Sequence, residues 1–99
     1  MYLEIVSPET TLFKGDVESV SVPGVDGEFE MLNNHASVIS ILKGGFVKIR
    51  GQIKIEEGNI SKFDKKDNSY WLAINSGTIE MNDNKINNII PQQKEKEIW

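Results

Sequence analysis

The stretch VSVPGVDGEFEMLNNHASVISIL, residues 20–42, decides how the chain folds. Two turn signals, Pro23-Gly24 and Asp26-Gly27, lie between apolar runs, and glycine supplies the positive φ that tight turns need. Asp-Gly between alternating segments therefore predicts a hairpin, with Val20 and Val22 on one face of the first strand and Ser19 and Ser21 on the other. Past the turn, Phe29 and Met31 share a face while Glu28 and Glu30 share the opposite one. The off-face serines predict a side that is wet or packed closely against a partner. Val38 to Leu42 is nearly all apolar, with Ser40 the exception, and must be buried on both sides or lie under another subunit.

The same alternation extends in both directions. Tyr2 to Val6 predicts a first strand ended by Ser7-Pro8, and Leu12-Phe13 with Gly15 a short second one. After Gly44-Gly45, Val47 and Ile49 point inward and Lys48 and Arg50 outward, followed by Ile53 and Ile55. Glu57-Gly58-Asn59 marks a bend and residues 64–69 a polar turn. Tyr70, Leu72 and Ile74 alternate with Trp71 and Ala73, Ser76-Gly77 precedes a strand from Thr78 to Met81, and Ile86 to Ile90 closes the sheet after the Asn82-Asp83-Asn84 turn. Short strands, frequent turns and no sustained 3.6-residue period predict an all-β fold, an antiparallel sandwich of about eight to ten short strands. Residues 1–90 form this domain. Residues 91–99 form a short charged tail that frays or makes two turns of marginal helix.

The chain has 99 residues, no cysteine and a net charge of −4, which makes it one domain with no disulfides and no thiolate metal site. No leader opens it, and no apolar run approaches the ~18 residues of a spanning helix. Charge is unevenly spread. Residues 1–42 carry one lysine against seven acidic residues, and residues 43–66 carry seven basic residues against three acidic ones. An acidic first third repels phosphates and attracts basic protein surfaces.

Catalytic and metal chemistry find no foothold. The single histidine, His35, has Ser37 and Ser40 near it in sequence, without the strained nucleophile turn or glycine-rich oxyanion loop of acyl transfer. Glu28 and Glu30 lie along one strand and do not face each other across a substrate. One histidine without cysteine excludes the usual zinc sites, the 82–84 turn lacks the ligand spacing of a calcium loop, and no phosphate-cradling glycine motif occurs. The expectation is a protein that is not an enzyme, with no metal, no nucleotide site and no cofactor. The alternative function is single-strand nucleic-acid binding, with Lys48, Arg50, Lys54, Lys62, Lys65 and Lys66 beside Phe46, Phe63, Tyr70 and Trp71.

Four ordered blocks carry a resemblance: LEIVSPE at 3–9, LFKGDVESVSVPGVDGEFEML at 12–32, NHASVISILKGG at 34–45 and NSGTIEM at 75–81. Together they resemble the epsilon subunit of F-type ATP synthase. The resemblance implies an N-terminal β-sandwich at the foot of the central stalk. There it binds the gamma subunit and the ring of c subunits and couples proton-driven rotation to ATP synthesis. Asp26 and Glu28 match the acidic turn that faces the c-ring, and Ser7, His35 and Ser40 match positions facing gamma. Val38 and Leu42 are the expected apolar gamma contacts. The implied location is the cytoplasmic face of a bacterial inner membrane, reached only through the complex, with no nucleic-acid partner and no homo-oligomer.

This sequence departs from the family pattern at Ser37, where proline is usual, and at Glu30, where glycine is common. Most members continue into a two-helix hairpin that restrains hydrolysis and in some binds ATP. With the chain ending at Trp99, that function is expected to be absent. Residues 51–69 resemble instead a lengthened hairpin that projects from the sandwich.

Overall fold

The computed structural model describes residues 1–7, 10–33, 37–82, 85–89 and 92–93. The strands are β1 (Tyr2–Val6), β2 (Thr11–Asp16), β3 (Ser19–Gly24), β4 (Gly27–Leu32), β5 (Val38–Leu42), β6 (Gly45–Arg50), β7 (Phe63–Lys66), β8 (Ser69–Asn82), β9 (Lys85–Ile89) and β10 (Gln92–Gln93). A single helical turn, α1 (Glu57–Ile60), precedes β7. The predicted hairpin forms between β3 and β4, with Gly24 opposite Gly27 and Val25-Asp26 as its two-residue loop. Gly27 sits at φ +131°, a conformation that other residues adopt only under strain. Glycine is required at Gly24 for a different reason. A Cβ there would stand 2.9 Å from both the Gly27 carbonyl oxygen and the Phe29 ring.

The strands make two layers joined through β8. In the first, β2, β1, β9, the C-terminal half of β8 and β5 lie side by side. In the second, β4, β3, β6, the N-terminal half of β8 and β7 do the same. The layers also meet at Gly24 and Leu42, where Lys43 N donates to Pro23 O at 2.9 Å. Between them lies one apolar core that takes Leu3 and Ile5 from β1, Val20 and Val22 from β3, Val47 and Ile49 from β6, and Ile86 from β9.

β8 runs for 14 residues where the sequence suggests two strands broken at Ser76-Gly77. Its buried positions are Leu72 and Ile74, then Ile79 and Met81. The inward phase changes from even to odd across Asn75–Thr78, because the strand passes from one layer to the other and its core-facing side inverts. An apparent break in the alternation therefore marks a crossing between sheets. The pairing of β1 with β9 is parallel, and every other pairing among the described residues is antiparallel. The N-terminal strand enters between β2 and β9, a placement that no local signal encodes.

Residues 51–69 differ from the projecting hairpin expected of them. Residues 51–56 run without regular structure, α1 follows, and only β7 pairs with the start of β8 around a turn at Asp67-Asn68. Ile55 and Phe63 are buried in the common core, Ile53 packs against it, and Asn59 Nδ2 donates to Thr11 O at 3.1 Å. These three apolar side chains hold the segment down on the sandwich. The tail also departs from expectation at its start, since Gln92 and Gln93 pair with β8 as β10. Residues 94–99 lie outside the described residues.

Tyr2 donates from its phenol to Glu4 Oε1 at 3.0 Å. Partial desolvation, followed by that bond and the negative charges of Glu4 and Asp16, pushes its pKa up. The folded state thus favours the neutral phenol. Stability from this source is complete below about pH 10 and is lost as pH rises through the folded value. Denaturant titrations should find wild type more stable than Tyr2→Phe below about pH 10, with the difference shrinking as pH rises through the folded value. Phe63→Ala should cost about 3–5 kcal/mol of unfolding free energy, as for a core aromatic; a projecting hairpin would tolerate it with little loss.

Candidate partner-binding faces

β5 presents the main apolar surface. Val38, Ser40 and Leu42 share the inward parity, with Leu42 only 2% exposed and Val38 packed against the core. Ile39 and Ile41 project the other way and are 80% and 64% exposed. They stand opposite Glu80 and Thr78 of β8. Val25, 52% exposed, joins them, since its backbone N–H donates to Ile41 O at 3.2 Å. The two expected apolar contacts, Val38 and Leu42, both lie on the inward side. Leu42 is spent on the core and Val38 is half-buried, whereas Ile39 and Ile41 form the free ridge. A strand apolar on both faces gives no parity from composition, so only the pairing with β8 settles which side is inside.

The second feature is the β3–β4 turn and the outer face beside it. Asp26 is exposed in the loop, and Glu28 follows at the start of β4. Glu28 reaches diagonally over β3 to β6, where Lys48 Nζ donates to its Oε2 at 3.0 Å. Half-exposed on the carboxylate side, such a pair is worth about 1 kcal/mol or less. Lys48 also stands 4.4 Å from the centroid of the Trp71 ring, and Lys66 stands 4.5 Å from it. Phe46 tilts against the same ring at 5.3 Å. Phe63 meanwhile is in the core. The four aromatics grouped with the basic residues thus do not form one open stacking platform.

The remaining expected contacts are local. Ser7 closes the end of β1, its hydroxyl donating to Thr10 O at 3.1 Å and accepting from Thr10 N at 3.2 Å. Ser40 donates to Ile41 O at 3.3 Å. Ser37 ties the start of β5 to the end of β8 through Asn82 Oδ1 at 3.2 Å. His35 lies outside the described residues. Among the described residues no group of histidine, aspartate and glutamate side chains could hold a metal ion, and no helix is long and apolar enough to cross a membrane.

With this geometry in place, comparison with known proteins is direct. The family described as ATP synthase, Delta/Epsilon chain, beta-sandwich domain matches residues 1–92. The chain belongs to this family. The ATP synthase epsilon chain of Campylobacter curvus is 40% identical over 86 residues, covering 87% of this chain and 57% of that one. The ATP synthase epsilon chain of a Nitratiruptor species is 40% identical over 83 residues, covering 84% and 54%. The chain therefore spans a little over half the length of these curated relatives. Among solved structures, one of the Tetrahymena thermophila mitochondrial ATP synthase central stalk and c-ring contains a chain that superposes with a TM-score of 0.67 at 14% identity. The match covers 91% of this chain and 63% of that one, and it shows the shared sandwich fold of the family.

The two parities of β5 have opposite consequences for a buried charge. Ile39→Asp should leave thermal stability within about 0.5 kcal/mol of wild type. Leu42→Asp should cost several kcal/mol or prevent folding, because the carboxylate would have to enter the core. Equal melting temperatures for the two variants would contradict the assignment of faces.

Proposed function

We propose that this chain is a rotor component of an ATP synthase, the β-sandwich of an epsilon subunit. It binds gamma and the c-ring and helps couple proton-driven rotation of the ring to ATP synthesis. Membership of the delta/epsilon β-sandwich family is the observation that carries this reading. The exposed Ile39–Ile41 ridge supports it, since an apolar ridge on a folded domain needs a covering partner. In this reading gamma covers Ile39, Ile41 and Val25, and Ser7 and His35 are the further positions assigned to that boundary, while Ser40 turns to the inward side of β5. Asp26 and Glu28 at the β3–β4 turn face the polar loops of the c-ring. The role is mechanical and the chain turns over no substrate.

A rotor part must transmit torque without deforming, and a sandwich whose layers share a continuous strand suits that demand. It sits on the cytoplasmic face of a bacterial inner membrane, held there through the complex. Co-expression with the gamma subunit of the same organism, followed by size-exclusion chromatography, tests the assignment. A complex should form with wild type and with Glu28→Lys and be lost with Ile39→Asp or Ile41→Asp. Absence of any complex with the wild-type chain at low and moderate salt would overturn the rotor reading.

A further inference from the structure

We propose that the trough above Ser19 and Ser21 is a second docking surface. Its occupant is an extended peptide segment of a partner protein, with an acidic side chain for Arg50 and a basic one for Glu30. This surface is separate from the Ile39–Ile41 ridge and does not depend on the rotor reading. Strand register builds it. On the outer face of the second layer, one row crosses Glu30, Ser21, Lys48 and Trp71, and the next crosses Leu32, Ser19, Arg50 and Ser69. In both rows β3 contributes a serine between long side chains on β4 and β6. Neighbouring strands stand about 4.8 Å apart, so the two walls are about 10 Å apart, the width of one extended chain. The groove so formed holds about 650 Å³.

Ser19 offers a hydroxyl to an occupant. It is only 4% exposed, yet its hydroxyl bonds to no partner among the described residues. No fully enclosed side-chain polar atom among the described residues lacks a partner. The Ser19 hydroxyl therefore has its open side on the groove that Ser19 lines. Beside it, the guanidinium of Arg50 makes no ion pair among the described residues. Serine hydroxyl and guanidinium together form a donor set for a carboxylate.

Charge selects the kind of segment. Glu28 and Lys48 satisfy each other across one end of the trough, which leaves Glu30 and Arg50 diagonal to each other over β3 with no ion pair among the described residues. A polyanion would meet Glu28, Glu30 and Asp67 on the rim, and a polycation would meet Arg50 and Lys48. A segment with both signs meets neither penalty. Trp71, whose indole N–H donates to Ser69 Oγ at 2.8 Å, forms a fixed wall.

The test is an NMR titration of the full, isotope-labelled chain at low salt. The probes are a short peptide of alternating lysine and glutamate, all-lysine and all-glutamate peptides, and a single-stranded oligonucleotide of equal length. The alternating peptide should shift the amides of Ser19, Ser21 and Arg50 and the Trp71 indole, and should bind about fivefold or more tightly than the other probes. Arg50→Gln, on the surface, should weaken that binding about fivefold or more, and Ser19→Leu should abolish it by filling the trough. If Ser19→Leu does not fold, Arg50→Gln and Glu30→Gln decide the matter. Absence of shifts at the trough would overturn the proposal, as would unchanged affinity in Arg50→Gln. Tighter binding of the oligonucleotide would overturn it in favour of a nucleic-acid groove. Gamma co-purification by the same Arg50→Gln chain reports separately on the rotor reading.

Discussion

The structure depends on β8 serving both layers. A strand can belong to two packed sheets only if the side it turns to the core inverts where it crosses, and here that inversion falls between Ile74 and Ile79. β5, β6, β7, β9 and β10 all hydrogen-bond to this strand. Their registers are fixed against it, and with them the parity of every side chain they carry. A slip of one residue in β8 would turn each dependent strand inside out. The shared strand also makes the layers one mechanical body, since shearing one against the other would break pairing as well as packing.

From that constraint follow two outer faces of different chemistry. The first layer shows isoleucine, valine and threonine around β5. The second shows alternating acidic and basic walls with serine between them. Neither face is a by-product of composition. The β5 ridge exists because Leu42 must fill the core below the layer junction, which sends Ile39 and Ile41 outward. The polar trough exists because β3 lies in the middle of its layer with serine at positions 19 and 21, while β4 and β6 carry the longer Glu30, Leu32, Lys48 and Arg50 beside them.

The segment between β6 and β7 shows how far local signals reach. Its turns were legible only in part: the polar stretch 64–69 reads as one turn, whereas residues 64–66 belong to β7 and the turn is Asp67-Asn68, and the bend at Glu57-Gly58-Asn59 is the helical turn α1. The burial of Ile55 and Phe63 was not. Ile55 keeps the inward parity of Val47 and Ile49 with no strand to carry it, Phe63 stands alone in a polar stretch, and their destination depends on an opening in the core that other strands create. The same limit applies to Ser76-Gly77, where local turn chemistry suggests an end and tertiary packing makes a crossing.

What the sequence determined by itself was the class of fold, the β3–β4 hairpin and the family. Period-two alternation, glycine at strained turn positions and the ordered VPG, GEF and NHA blocks are local features that survive without coordinates. Tertiary structure alone decided the parallel pairing of β1 with β9, the phase inversion in β8, the outward set of β5 and the diagonal Glu28–Lys48 pair. Each of these joins residues far apart in the chain. Their placement follows from which strand lies beside which, and that is chosen by the shared core rather than by any one segment.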